Sequence, residues 1–171
     1  DNVDAFLGIP YAAPPLGPLR FEEASRPIAW KGVRDGTRFG APCLQVPSGD
    51  PNEFPDPEAP IPNENCLFLN VWRPSIGNSS FVPAASKLPV LVWLHGGGFC
   101  AGTGSEKWFD GGRLALNAQK PHIVVTLNYR LGPLGFFVRD ETGTGGANGI
   151  NDQAAALRWL HENVEAFGGD P

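Results

Sequence analysis

Val90-Leu91-Val92-Trp93-Leu94-His95-Gly96-Gly97-Gly98-Phe99-Cys100-Ala101-Gly102 is an apolar run that ends in three consecutive glycines. A short continuous apolar run bounded by glycine reads as a buried strand. Leu88–Leu94 is apolar enough to predict a central strand covered on both faces. Glycines at its end leave backbone N–H groups free of side chains at the carboxyl edge of a sheet. The chain can approach a ligand closely there and can take φ > 0. Such donors suit a developing anionic oxygen, which makes the glycine turn a candidate for an oxyanion hole. The plain alternative is a glycine turn without chemistry.

The same stretch also fits a dinucleotide fingerprint, Gly96-x-Gly98-x-x-Ala101. That reading needs an acid about 20 residues on, at the end of the next strand, to hold the ribose. The next apolar run, His122–Asn128, ends in Asn128-Tyr129-Arg130 and supplies none, so the fingerprint lacks its context.

Working outward, Cys66–Pro74 alternates Leu67, Leu69 and Val71 with Phe68, Asn70 and Trp72, which predicts a strand. Ser105–Ala118 predicts a short helix between the apolar runs. Leu157, Leu160, Val164 and Phe167 recur at helical spacing, with Asn151 or Asp152 able to cap the start and Gly168-Gly169 the end. Strand, crossover, strand and helix imply an α/β fold with a mostly parallel central sheet and flanking helices.

With 171 residues, 42% hydrophobic and 18% charged, the composition is that of a globular chain. A net charge of −5 and the absence of a Lys/Arg run argue against a nucleic-acid partner. No apolar run approaches a membrane-spanning length. No residue pattern calls for a cofactor or a metal. The chain opens inside an apparent strand, holds no Met and stops just past a helix. It is therefore expected to be part of a longer protein, with 1–171 belonging to one domain incomplete at both ends.

Six prolines lie between Pro47 and Pro62, and Asp50, Glu53, Asp56, Glu58 and Glu64 meet no basic residue between Arg38 and Arg73. This is an exposed loop without regular structure. Cys43 and Cys66 bracket it, either as unrelated thiols or as a bridge. Cys100 is left over, and a small packed residue is the expected role. Asn78-Ser79-Ser80 is a glycosylation sequon.

Five segments together resemble the type-B carboxylesterase/lipase family of α/β-hydrolases, along nearly the whole chain. They are Phe6–Ala12 with Pro14-Pro15 and Leu19-Arg20-Phe21; Asn63–Val71; His95–Phe99; Asn128–Gly132; and Asn148–Gln153 running to Gly168-Gly169-Asp170-Pro171. The resemblance implies that Gly97 and Gly98 bind the oxyanion, as HGGG-type loops do. It further implies a Cys43–Cys66 disulfide and the ion pairs Arg20–Glu64 and Arg130–Asp152. A secreted or extracellular hydrolase of small carboxylic esters follows, with no cofactor; oligomeric state is left open.

The sequence also departs from the pattern. Asn63-Glu64-Asn65-Cys66 stands where the family usually has Ser-Glu-Asp-Cys. The 43–66 loop has no Trp, Tyr or Met, so it offers no aromatic cage for a quaternary ammonium. It is also too short and proline-rich for an amphipathic lipase lid. No Gly-x-Ser-x-Gly occurs, so the chain stops before the nucleophile elbow. His95, His122 and His161 are not expected to be the catalytic base, and the chain alone is expected to be inactive. A catalytically silent adhesion or interaction protein on the same scaffold, as in neuroligin-like relatives, is the alternative.

Overall fold

The computed structural model describes residues 2–46, 60–75, 87–117, 120–139 and 145–171. The sequon at Asn78 and most of the proline-rich acidic stretch lie outside the described residues. Strands β1 (Val3–Pro10), β2 (Phe68–Pro74), β3 (Val90–Leu94) and β4 (Ile123–Leu127) form one sheet in the order β1-β2-β4-β3. β3 and β4 are parallel, joined by a crossover through helix α1 (Gly111–Asn117), whereas β2 runs antiparallel to both neighbours. Among the described residues one of the three strand pairings is parallel, so the α/β class holds but the sheet is mixed here and not mostly parallel as expected.

Alternation along the strands decides what each face buries. Leu69 and Val71 of β2 stand opposite Leu127 and Val125 of β4. This side meets Ala156, Leu160 and Val164 from helix α3 (Asn148–Asn163) and the 3₁₀ turn that continues it. On the other face Trp72 and Val124 lie against Gly111 of α1, where an added Cβ would come within 2.6 Å of the Trp72 ring. Only glycine lets the start of α1 sit this close.

Three further expectations are corrected here. Among the described residues β3 pairs only with β4 and is not covered on both faces: Val90 and Val92 pack on the core, but Leu91 and Trp93 are 45% and 44% exposed. α1 lies mainly over β1, β2 and β4. α3 begins at Asn148, behind Ala147 with no side-chain cap, so Asn151 and Asp152 do not cap it. Its inward row is Asp152, Ala156 and Leu160, at spacings of four, whereas Leu157 is exposed. Leu160, Val164 and Phe167 do face the core.

Candidate functional site

The chain leaves β3 through His95, which is buried although its neighbours Gly96–Cys100 are exposed. The His95 ring stacks on Tyr129 with centroids 4.3 Å apart and planes 11° from parallel. The Tyr129 hydroxyl donates to the His95 carbonyl at 2.8 Å. His95 Nδ1 donates to the Gly96 carbonyl at 2.9 Å, which places its proton on Nδ1 and leaves a buried Nε2 without a partner. Burial pushes the imidazole below its ordinary pKa, and the Gly96 contact opposes this only in part. A neutral ring that fixes the start of the turn is what this geometry provides.

The turn itself is left-handed, with φ of 114° at Gly97, 60° at Gly98 and 62° at Phe99. The N–H groups of Cys100 and Ala101 both return to the Gly97 carbonyl, at 3.0 and 3.1 Å. A Cβ on Gly97 would fall 2.0 Å from the Ala101 carbonyl oxygen, so the loop closes on itself there. Phe99 is the one non-glycine residue of the turn with positive φ; its carbonyl accepts the Gly132 N–H at 2.8 Å and its ring meets Phe136 of helix α2 (Gly132–Phe136). Among the described residues, the N–H groups of Gly97 and Gly98 donate to no partner. A Cβ on Gly98 would meet nothing within 4 Å. Two adjacent donors without a partner among the described residues are therefore carried by an exposed turn whose flanks are held on both sides.

Past the turn the chain is strapped over the carboxyl end of β4. The Asn128 side chain accepts from the Thr103 hydroxyl and the Gly104 N–H, and it donates to the Ala41 carbonyl. Thr126 donates to the Gly104 carbonyl at 2.6 Å. A Cβ on Gly104 would sit 2.9 Å from Leu127 backbone, so this strap also needs glycine. Buried polar groups that all find partners hold a loop in one geometry.

The other residues singled out from sequence fall around this centre. Arg130 and Asp152 are both buried and share three hydrogen bonds. Asp152 Oδ2 accepts from the Arg130 N–H and Nε, and Oδ1 accepts from Nη2 at 2.7 Å. This pair ties the end of the segment after β4 to α3. Arg20 and Glu64 form a two-pronged pair at 2.5 and 2.7 Å, but Arg20 is 45% exposed. Cys43 and Cys66 are bonded, with Cα atoms 4.8 Å apart. Cys100 is a free thiol and exposed, not packed as expected, because it sits on the outer side of the turn. Sequence reasoning missed Gln45 and Thr103, which carry hydrogen bonds to the turn and strap. Gln45 lies within the stretch dismissed as solvent-facing, and no local pattern marks it. Among the described residues, no group of His, Cys, Asp and Glu could hold a metal ion.

Comparison with known proteins places this geometry. The model of the carboxylesterase family matches residues 1–171. Para-nitrobenzyl esterase of Bacillus subtilis (strain 168) is 45% identical over 100% of this chain and 33% of its own length. Fumonisin B1 esterase of Sphingopyxis macrogoltabida is 41% identical, over 99% and 30%. A solved PNB esterase structure superposes with a TM-score of 0.87 at 44% identity, covering 100% of this chain and 33% of that one. The chain thus spans about a third of the length of the relatives it matches.

Proposed function

The chain belongs to the carboxylesterase family, and from that premise we propose that it supplies the oxyanion-binding part of a serine hydrolase of carboxylic esters. The observation that carries this reading is the pair of free N–H groups on Gly97 and Gly98, held in a left-handed turn whose two flanks are hydrogen-bonded down. The relatives' names speak of esterases, which supports the ester class. Their longer chains are consistent with a nucleophile, acid and base lying outside these 171 residues. The reaction is acyl transfer to water. A serine hydroxyl adds to the ester carbonyl and passes its proton to a histidine base, and the carbonyl oxygen becomes the oxyanion that Gly97 and Gly98 receive. Collapse of this intermediate expels the alcohol, which takes that proton; water then releases the acid by the same two steps. The 171 residues alone, without a serine elbow, have no activity in this scheme.

The Cys43–Cys66 bridge is compatible with an oxidising compartment, and we assign the protein to the secreted class on that ground. The decisive experiment is Gly98→Val in the longer protein. A valine there crowds the space next to both donors and is strained at φ 60°. The expected result is a fall in kcat of about 10²- to 10³-fold, the usual consequence of losing one oxyanion donor. Wild-type kcat with short-chain aryl esters would reduce the glycines to a turn and favour a non-catalytic interaction protein on the same scaffold.

A further inference from the structure

We infer that Gln45 is a positioning residue for the oxyanion hole, linking the disulfide to the glycine turn; this rests on the reading of Gly97 and Gly98 given above. The Gln45 carboxamide grips Gly102 with both ends. Its Oε1 accepts the Gly102 N–H at 2.8 Å, and its Nε2 donates to the Gly102 carbonyl at 3.1 Å. The same Nε2 also donates to the carbonyl of Cys43, two residues back, at 3.1 Å. The side chain is thus anchored beside the Cys43–Cys66 bridge and acts on Gly102 as a neighbouring strand would.

Gly102 is where that grip reaches the hole. At φ 113° its missing Cβ would fall 2.3 Å from His95 Nδ1 and 2.6 Å from the Gly96 carbonyl oxygen. The backbone after the turn therefore rests directly on the backbone before it. One residue earlier, the Ala101 carbonyl is just as close to Gly97. Any outward shift of Gly102 opens the space against which His95, Gly96 and Gly97 are packed. Tyr129 and Gly132 hold the turn from the β4 side, but only Gln45 holds Gly102 by a side chain among the described residues. Gln45 touches no reacting atom, so its contribution lies in where the donors sit.

The test uses the longer, active protein, with kcat expressed per titrated active site. Gln45→Met keeps the length of the side chain and removes its three hydrogen bonds. Its kcat is expected to fall about 10- to 100-fold, the range that small misplacements produce. KM should stay within about twofold, because the lost interaction is one made in the transition state. Inactivation by an aryl phosphonate, whose phosphoryl oxygen enters the same hole, should slow by the same factor. Gln45→Glu gives an independent readout. Its carboxylate can accept from Gly102 N–H but repels the Gly102 carbonyl, whereas its protonated form can do both jobs of the amide. The ratio of Gln45→Glu to wild-type kcat should therefore rise as pH falls through the carboxyl range. A purely structural role predicts wild-type kcat per active site in both variants and a ratio flat with pH, and either result overturns the inference. Should Gln45→Met not fold, the pH ratio of Gln45→Glu decides alone. Gly98→Val is run beside them: if it too keeps full kcat, the oxyanion reading has failed. If it loses activity and the Gln45 variants do not, only the role of Gln45 is lost.

Discussion

Gly96 and Gly97 are neighbours in the chain, yet a methyl group added to each meets a different fate. At Gly96 an added Cβ finds nothing within 4 Å, while at Gly97 it lands 2.0 Å from a backbone oxygen at φ 114°. Gly96→Ala is therefore expected to change stability by no more than about 0.5 kcal/mol. Gly97→Ala must move backbone and carries about 1–3 kcal/mol of dihedral strain besides. Urea denaturation of the two variants measures the difference. His95 gives a pH signature at the same scale. Its folded pKa lies below the ordinary histidine value because of burial, so the unfolded chain takes up its proton first on acidification. The stabilising contribution is whole above the unfolded pKa of about 6.5 and is lost as pH falls toward the folded value. His95→Gln should remove that part of the acid dependence of the unfolding midpoint. A wild-type slope in this variant would mean that other groups carry it. Arg130 and Asp152 are both almost fully enclosed, so Asp152→Ala strands a cation and is expected to cost about 3–5 kcal/mol. Replacing both by apolar residues should cost much less than the two single losses combined, and simple additivity in the cycle would show that the pair is not coupled.

Among the elements, β2 and β4 were legible because alternation and β-branched runs are local properties of sequence. β3 was legible as a strand, but its half-exposed face among the described residues was not, since apolarity reports what a strand is able to bury and not which neighbours lie beside it. The start of α3 was misplaced for a related reason. Asn151 and Asp152 have the side chains of helix caps, but the Arg130 guanidinium claims Asp152 in the second turn of α3. A local capping preference is worth about 1 kcal/mol, less than the cost of leaving a buried cation unpaired. Of the candidate site, the glycine turn stood out in the sequence, whereas the grip of Gln45 on Gly102 spans 57 positions and has no local signal. The ion pairs and the bridge were accessible only through the resemblance to a family. The bridge closes 24 residues, from a separation of 23, and on the chain-entropy account removing it costs about 3.4 kcal/mol. The Cys43→Ser/Cys66→Ser double variant should therefore unfold at clearly lower urea. An unchanged midpoint would mean that the loop is already ordered in the unfolded reference state.

At the scale of the whole molecule, the uneven cover of the sheet has a consequence for the chain in solution. Val90 and Val92 of β3 pack on the core that includes α3, but α1 lies mainly over the other three strands, and Leu91, Trp93 and Leu94 remain 41–45% exposed. Among the described residues no strand pairs with the free edge of β3. Open edges that are also apolar recruit further strands, and proteins ordinarily blunt them with charge or cover. None of the five residues of β3 is charged, so neither device operates here. Expressed by itself, the 171-residue chain is thus expected to self-associate at micromolar concentration and to bind an apolar dye. Light scattering after size-exclusion chromatography measures the first, and dye fluorescence the second. Trp93→Lys places a charge on the exposed face of β3 while leaving Val90 and Val92 on the core, so it should shift the population toward monomer and lose in stability only the Trp93–Phe109 ring contact. In a longer chain that buries Trp93, the same substitution should destabilise far more, because a cation would then be enclosed without a partner. A loss of stability much larger in the longer chain than in the 171-residue chain separates a face waiting for cover from one that tolerates water. Equal, small effects in both would show that β3 is an ordinary solvent-facing edge.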